Sequence, residues 1–497
     1  MHLNTIPRES AWNPGKAKTS ILLLFALLNL AVFAVRAVSV GRFGSLFATS
    51  GGEVLMIYSV WKRMHHLPVY EFPLKYPFCL SLYNYLFYET YAAILKLLGA
   101  SGAGIKVVGR FVTSMFPVIG AIAQWRLVQF QLNLRGIRSF LSLILALGLW
   151  FCTSMIRWWA LTFRPDMAAI ALVMVALFLV VRRPRFGFFA AGLVFYLAWS
   201  FKQSVALTFA ATCIYLLFQR RWRDVVPMAT VFAVLAATTL LIGSPEYRFN
   251  VLVAPRLVIG FSLSHAFRTG GVSLISNAYW VIPPIFLGLT ARRQRLDGTR
   301  SLLLTTFSAA LILGLAAMTR SGGSDNYLLE AFVSGSTLMQ IAFFGNSTVL
   351  APALLLYGCL QPAAQLALLS ASRHSLGFVQ VATRAEFDSI RTVLEQISRL
   401  RRPIVSTDET LAAPWISTRD QYPAFAIDFD FYTPTHLRCE NGGVEGLIRR
   451  GEIPTVIVGT KDTLFRENLN PGYVHVGEYD HQGFHFDIYT LDAAANR

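Results

Sequence analysis

The sequence predicts an all-α, many-spanning membrane domain of about eleven helices, followed by a small extracytoplasmic α/β domain. Three observations lead there. The 497 residues are 55% hydrophobic and only 14% charged, against roughly 25% charged in soluble domains. Apolar runs recur as far as about residue 370, each near the ~20 residues that cross a bilayer. From residue 375 the composition turns soluble: 17 acids and 12 Lys plus Arg lie there, leaving 10 acids and 32 bases for the rest. The chain thus divides into a membrane part, 1–374, and a soluble part, 375–497.

The excess of bases follows the positive-inside rule. The clusters sit in short loops without a nucleic-acid motif, so no nucleic-acid partner is expected. Lys16 and Lys18, Arg135 and Arg138, Arg182 to Arg185, Arg220 to Arg223 and Arg292 to Arg295 place those loops in the cytoplasm. The first run, 19–39, is too long for a signal-peptide core and reads as a retained helix. Spans are expected near 19–39, 105–125, 136–156, 167–182, 186–201, 204–219, 225–242, 274–291, 301–318, 330–345 and 349–367. This odd count puts the N-terminus in the cytoplasm and the soluble part outside the cytoplasmic membrane. Cys152, Cys213 and Cys359 fall in apolar runs. Cys79 and Cys439 both fall outside, and no spacing pairs them or makes a metal site.

The longest external loop, 40–104, holds two segments, 51–66 and 77–98, with the pattern of helices lying in the interface. Seven of the ten acids of the membrane part (Glu53, Glu71, Glu89, Asp166, Glu246, Asp325, Glu330) map to the external face. Acids contribute little to topology, so their gathering with Arg110, Arg157, Arg164, Lys202, Arg256 and His265 points to a polar external cavity.

Glu53 has two readings. Ser50-Gly-Gly-Glu53 fits a capping box, in which the carboxylate only starts a helix. Yet Glu53, Ile57, Val60 and Met64 share one helical face. A carboxylate in an apolar stripe must be paired or have a raised pKa, and a raised pKa suits a general base.

Several motifs follow in order: GGE (51–53), HHLPVY (65–70), LKYPFCLSLYNYLF (74–87), Arg110 in KVVGRFVTSMFPVIG, RPD (164–166), SFKQS (200–204) and SDNYLLE (324–330). Together they resemble the C-type glycosyltransferases (GT-C), in the branch of the bacterial protein mannosyltransferases and the lipid A aminoarabinose transferase. The resemblance covers nearly the whole membrane part. It implies sugar transfer, with inversion, from a polyprenyl-phosphate donor to an external glycan, lipid or protein. It also implies that Glu53 is the catalytic base and that Tyr76-Pro77 closes on the lipid carrier. Where many members pair two acids, this chain has Gly52, so no metal cofactor is expected.

Within that frame the leaving phosphate needs cations. Lys202, at the external end of a predicted helix, binds it or snorkels; Arg110 and Arg256 are the other candidates beside Tyr76. Asp166 either binds sugar or acceptor, or pairs with Arg164, or caps the next helix. Asn326, Tyr327 and Glu330 at the start of a span, and His265 in the 243–273 loop, complete the sugar and acceptor candidates. The tyrosine-rich stretches suit sugar stacking or an interfacial belt.

In the soluble part, RAEFDSIRTVLEQISRL reads as an amphipathic helix and RPIVST as a buried strand. DETLAAP reads as a short helix, and GVEGLIRRG with PTVIVGT as a helix–strand pair. HVGEYDHQGFHFDIYTL reads as a hairpin turning near Gln482-Gly483. Asp428, Asp430, His481 and His485 are too scattered for a metal site. Two other functions compete with the transferase. A flippase of lipid-linked sugars calls for repeats and broken helices, neither visible in the sequence. A ligase or polymerase of lipid-linked glycans would rest on external Arg and His, here Arg256, His265 and Arg268.

Overall fold

In a computed structural model, the described residues are 15–44, 49–50, 53–76, 78, 80–102, 104–257, 262–290, 296–319, 324–345, 350–370, 375–376, 379–380, 384–407, 439–460, 463–481 and 484–492. The regular elements described in the membrane part are helices, chiefly α1 Lys16–Phe43, α2 Glu53–Met64, α3 Tyr85–Leu97, α4 Gly104–Leu132, α5 Gly136–Trp150, α6 Asp166–Arg182, α7 Gly187–Phe201, α8 Ala206–Phe218, α9 Trp222–Ile242, α10 Leu263–Ser276, α11 Ala278–Thr290, α12 Gly298–Ala317, α13 Leu329–Phe344, α14 Leu350–Gly358 and α15 Leu360–Ser370. Among the described residues, six stretches are long and apolar enough to cross a bilayer, or seven if one bent pair counts as a span, and shorter apolar helices stand beside them. The protein is a multi-pass membrane protein. Length and composition do not by themselves select the expected count of eleven.

The bent pair corrects the sequence reading. The span expected at 274–291 continues from a preceding helix, and the two meet at 89°. The break falls at Asn277. Its buried amide donates to Ser273 O (2.8 Å), and its Oδ1 accepts from Trp280 Nε1 (2.8 Å). The side chain thus meets backbone and indole polar groups at the corner.

Polar contacts tie the bundle together where lipid supplies no hydrophobic drive between helices. Gln124 accepts from Trp150 Nε1 (2.8 Å) and Ser336 Oγ (3.0 Å) and donates to Gln340 Oε1 (2.7 Å). Gln340 in turn donates to Ser142. This joins α4, α5 and α13, and the α13 region is the most enclosed of the candidate spans.

Both helices expected in the first external loop form, as α2 and α3. Neither the pattern nor the length told how deep α2 lies. All its residues but Arg63 are buried, so it is enclosed by protein and does not lie flat on a lipid surface. Lys62, on its polar side, is buried against Glu71 (2.9 Å).

The soluble part contains α16 Arg384–Ile397, α17 Gly443–Arg449 and a four-stranded sheet of β3 Ile404–Ser406, β4 Thr455–Gly459, β5 Tyr473–His481 and β6 Phe484–Leu491. A two-stranded pair, β1 Ser375–Leu376 and β2 Val379–Gln380, precedes it. The sheet order is β3-β4-β6-β5, parallel only between β3 and β4. The expected helix at 408–414, the hairpin turn and Cys79 lie outside the described residues. The domain is anchored to the segment between α2 and α3. Phe78 sits in its core with Val444, Leu447 and Val456, and Leu74 O accepts from Glu440 N (2.7 Å). Phe78→Ala should cost about 3–5 kcal/mol of this docking. The check is limited proteolysis of the intact protein, with release of the C-terminal domain expected well before cleavage in the wild type.

Candidate functional site

Glu53 opens α2, fully buried, and meets a partner 57 residues away. Arg110 of α4 donates from Nε to Oε1 (2.8 Å) and from Nη2 to Oε2 (2.5 Å). Phe163 N donates to Oε1 (2.7 Å) and Thr49 N to Oε2 (3.0 Å). Each carboxylate oxygen therefore has two donors. Burial alone would push this carboxyl up; the charge and hydrogen bonds of Arg110, the charge of Lys106 and the Phe163 N–H outweigh it and hold the pKa at about 2. The capping box does not close: the carboxylate reaches Thr49 N, but Thr49 Oγ1 and Ser50 Oγ are both buried without a hydrogen bond among the described residues. Gly109 makes room for this arrangement, since a Cβ there would lie 1.9 Å from the Phe163 ring.

Arg110, one of the sequence's candidates for the donor phosphate, is thereby paired with Glu53. Its guanidinium is fully buried and also donates to Gly44 O (2.7 Å). Tyr76 is exposed and packs edge-on to Phe78, beside the soluble domain. Arg256 and His265 lie in helices Ala254–Leu257 and Leu263–Ser276, and their side chains fall outside the described residues.

A second cluster gathers most of the remaining candidates. Asp166 is the first residue of α6, after Pro165, and makes no cap hydrogen bond, so the helix-cap reading does not hold. Its Oδ1 accepts from Lys202 Nζ, at the end of α7, and from Asn326 Nδ2 (3.2 Å). Oδ2 lies 3.7 Å from Arg164 Nε and has no hydrogen bond among the described residues. Arg164 donates from Nη2 to the Tyr83 hydroxyl (2.6 Å). The Tyr327 ring lies 5.8 Å from Lys202 Nζ, and Glu330 accepts from Thr208 N (3.2 Å) and Oγ1 (2.6 Å). Arg157 pairs with Asp325 (3.4 Å), fastening the same turn. Lys202 is only 8% exposed, so it is enclosed by protein and does not snorkel to the membrane surface.

Next to this cluster lies a cavity of about 380 Å³, lined by Tyr70, Tyr85, Tyr196, Thr239, Ser244 and Tyr247 among others, with no charged residue in its wall. Residues 82–85 join the two. Gln203 Nε2 bonds Leu82 O (2.9 Å), Tyr83 meets Arg164, Asn84 Nδ2 bonds Trp199 O (2.6 Å), and Tyr85 lines the cavity. Sequence reasoning missed Asn84, Thr208, Phe163 and Tyr247. The SLYNYLFY stretch was read only for its aromatic rings, and the buried amide in it was the available signal.

No family model and no curated protein matches the chain in sequence. Solved structures do match in fold. The apo oligosaccharyltransferase of Archaeoglobus fulgidus aligns over 94% of this chain and 74% of its own, with 11% identity and a TM-score of 0.52. The same organism's AglB, in complex with an inhibitory peptide and a dolichol-phosphate, covers 96% and 74% with the same identity and score. ArnT from Cupriavidus metallidurans, bound to undecaprenyl phosphate, aligns over 96% of this chain and 99% of its own, with 11% identity and a TM-score of 0.52. At 11% identity these likenesses show the fold alone: the chain has the GT-C fold.

Proposed function

We propose that the protein is a glycosyltransferase that moves a sugar from a polyprenyl-phosphate donor to a hydroxyl of an extracytoplasmic lipid, glycan or protein. The observation that carries this reading is the Arg164–Asp166–Lys202–Asn326 cluster in a GT-C fold, with Asp166, Lys202 and Asn326 buried and Arg164 half-buried beside them. Lys202 is a cation enclosed by protein, where attraction to a phosphate is strong. In the reaction the bond between the anomeric carbon and the phosphate oxygen breaks, its electron pair leaving with the phosphate. The acceptor oxygen forms the new bond from the opposite face and yields its proton to a carboxylate.

We assign that proton to Asp166 in place of Glu53. Asp166 offers Oδ2 without a hydrogen bond among the described residues, whereas Glu53 holds four donors. Glu53 and Arg110 act as a positioning pair: the Phe163 N–H that Glu53 binds lies next to Arg164 in the chain. The N-terminus is on the cytoplasmic side of the inner membrane and the soluble domain outside.

The test is purified protein in lipid, given a panel of polyprenyl-phosphate sugars and an envelope extract as acceptor source. Free polyprenyl phosphate and labelled acceptor are expected in equal amounts. The 89° bend at Asn277 favours one rival, a flippase of lipid-linked sugars. Movement of intact donor across the bilayer without cleavage would establish that reading and remove the transferase.

A further inference from the structure

The soluble domain's terminal hairpin presents a set of side chains that the transfer reaction does not use. In the β5–β6 register Glu478 faces Asp487, and Asp480 faces His485. Like charges directly opposite across a strand pair repel. A bulge between His475 and Gly477 shifts the alternation of β5 by one residue, bringing His475 to the face of Glu478. His475 Nε2 lies 3.3 Å from Asp487 Oδ1, and His485 Nε2 lies 3.6 Å from both Glu478 Oε2 and Asp487 Oδ1. Ligand atoms of His475, Glu478 and Asp487 all fall within 4.8 Å of one another. The 3.3 Å separation matches, and the 3.6 Å separations approach, the roughly 3.3 Å edges of a tetrahedron around a cation ~2.0–2.1 Å from each ligand; His485 borders Glu478 and Asp487 and stands outside the mutual group of three.

The outer contacts prepare the same atoms. Asp480 Oδ1 lies 3.0 Å from His485 Nδ1. A proton held there leaves the Nε2 lone pair facing Glu478 and Asp487, as in carboxylate–histidine–metal arrangements. Arg466 donates to Asp487 Oδ2, which turns Oδ1 toward the two imidazoles. Asp487 is largely covered while both histidines are partly exposed, so a cation has access from water.

We propose that His475, Glu478 and Asp487, with His485 bordering the two carboxylates, form a binding site for a divalent transition-metal ion that clips β5 to β6. Imidazole beside carboxylates suits zinc, copper or nickel better than magnesium or calcium. The bland alternative is a ladder of protonated histidines and carboxylates that needs no metal.

The test uses the untagged full-length protein in detergent, stripped with chelator and titrated with Zn²⁺ by equilibrium dialysis, with Co²⁺ absorption as the spectroscopic probe. One Zn²⁺ per chain is expected, with a Co²⁺ band in the visible and a rise in melting temperature as Zn²⁺ saturates. His475→Gln with His485→Gln should abolish the band and weaken binding by at least about 100-fold. Asp480→Asn, at an exposed position, should weaken it about 10- to 100-fold and serves as the second variant should the double substitution unfold. No saturable binding in the wild type, or unchanged affinity in the folded variants, would overturn the site and leave the histidine ladder.

Discussion

Asp166→Asn is expected to lower the turnover of sugar transfer by about 10²- to 10⁴-fold, the range for loss of a general base, with the donor KM changed only a few-fold. The substitution keeps shape and leaves Lys202 and Arg164 in place for the phosphate. What it removes is the proton acceptor at Oδ2, the oxygen that carries no hydrogen bond among the described residues. The acid limb of the pH–rate profile should vanish from the residual activity, because Asn does not titrate. A structural role alone would not move that limb. Asp166→Glu should restore part of the turnover. If Asp166→Asn turns over normally the assignment falls, and if Glu53→Gln folds normally, stops release and itself removes the acid limb, the proton belongs to Glu53.

Glu53→Ala should cost about 3–5 kcal/mol of stability, the range for removing one partner of a buried ion pair. It leaves Arg110 fully buried without its carboxylate and the Phe163 N–H without its acceptor. Glu53→Gln, which retains one acceptor oxygen, should be milder. Thermal unfolding in detergent checks both. The pH dependence carries a definite sign. Glu53 titrates near 2 in the folded protein against an ordinary 4.5, so the unfolded chain binds the proton first as pH falls. The stabilisation is complete above about pH 4.5 and disappears toward pH 2, in total about 3 kcal/mol. In Glu53→Gln this acid-side loss should shrink. A wild type and a Glu53→Gln variant that lose stability in parallel between pH 4.5 and 2 would remove the ion pair as its source.

How much of this was legible beforehand depended on range along the chain. Apolar runs, the break in composition at residue 375, α2 and α3, α16 and the strands of the soluble domain all follow from patterns a few residues long, because burial repeats every 3.6 residues in a helix and every two in a strand. The expected gathering of seven acids on one face rests on the order of residues alone. Which acid does what did not. Glu53 sits in the expected apolar stripe, but its cost of burial is met by Arg110, a residue 57 positions away, and not by a raised pKa. Asp166, Lys202 and Asn326 were separate candidates until α6, α7 and the turn before α13 brought them together across 160 positions. His475 and Glu478 differ by an odd number and read as opposite faces of a strand; a single bulge reverses that. Local pattern reports what a side chain must be covered by, water or apolar matter. The identity of the opposite charge, and therefore the chemistry, is set only when distant helices pack.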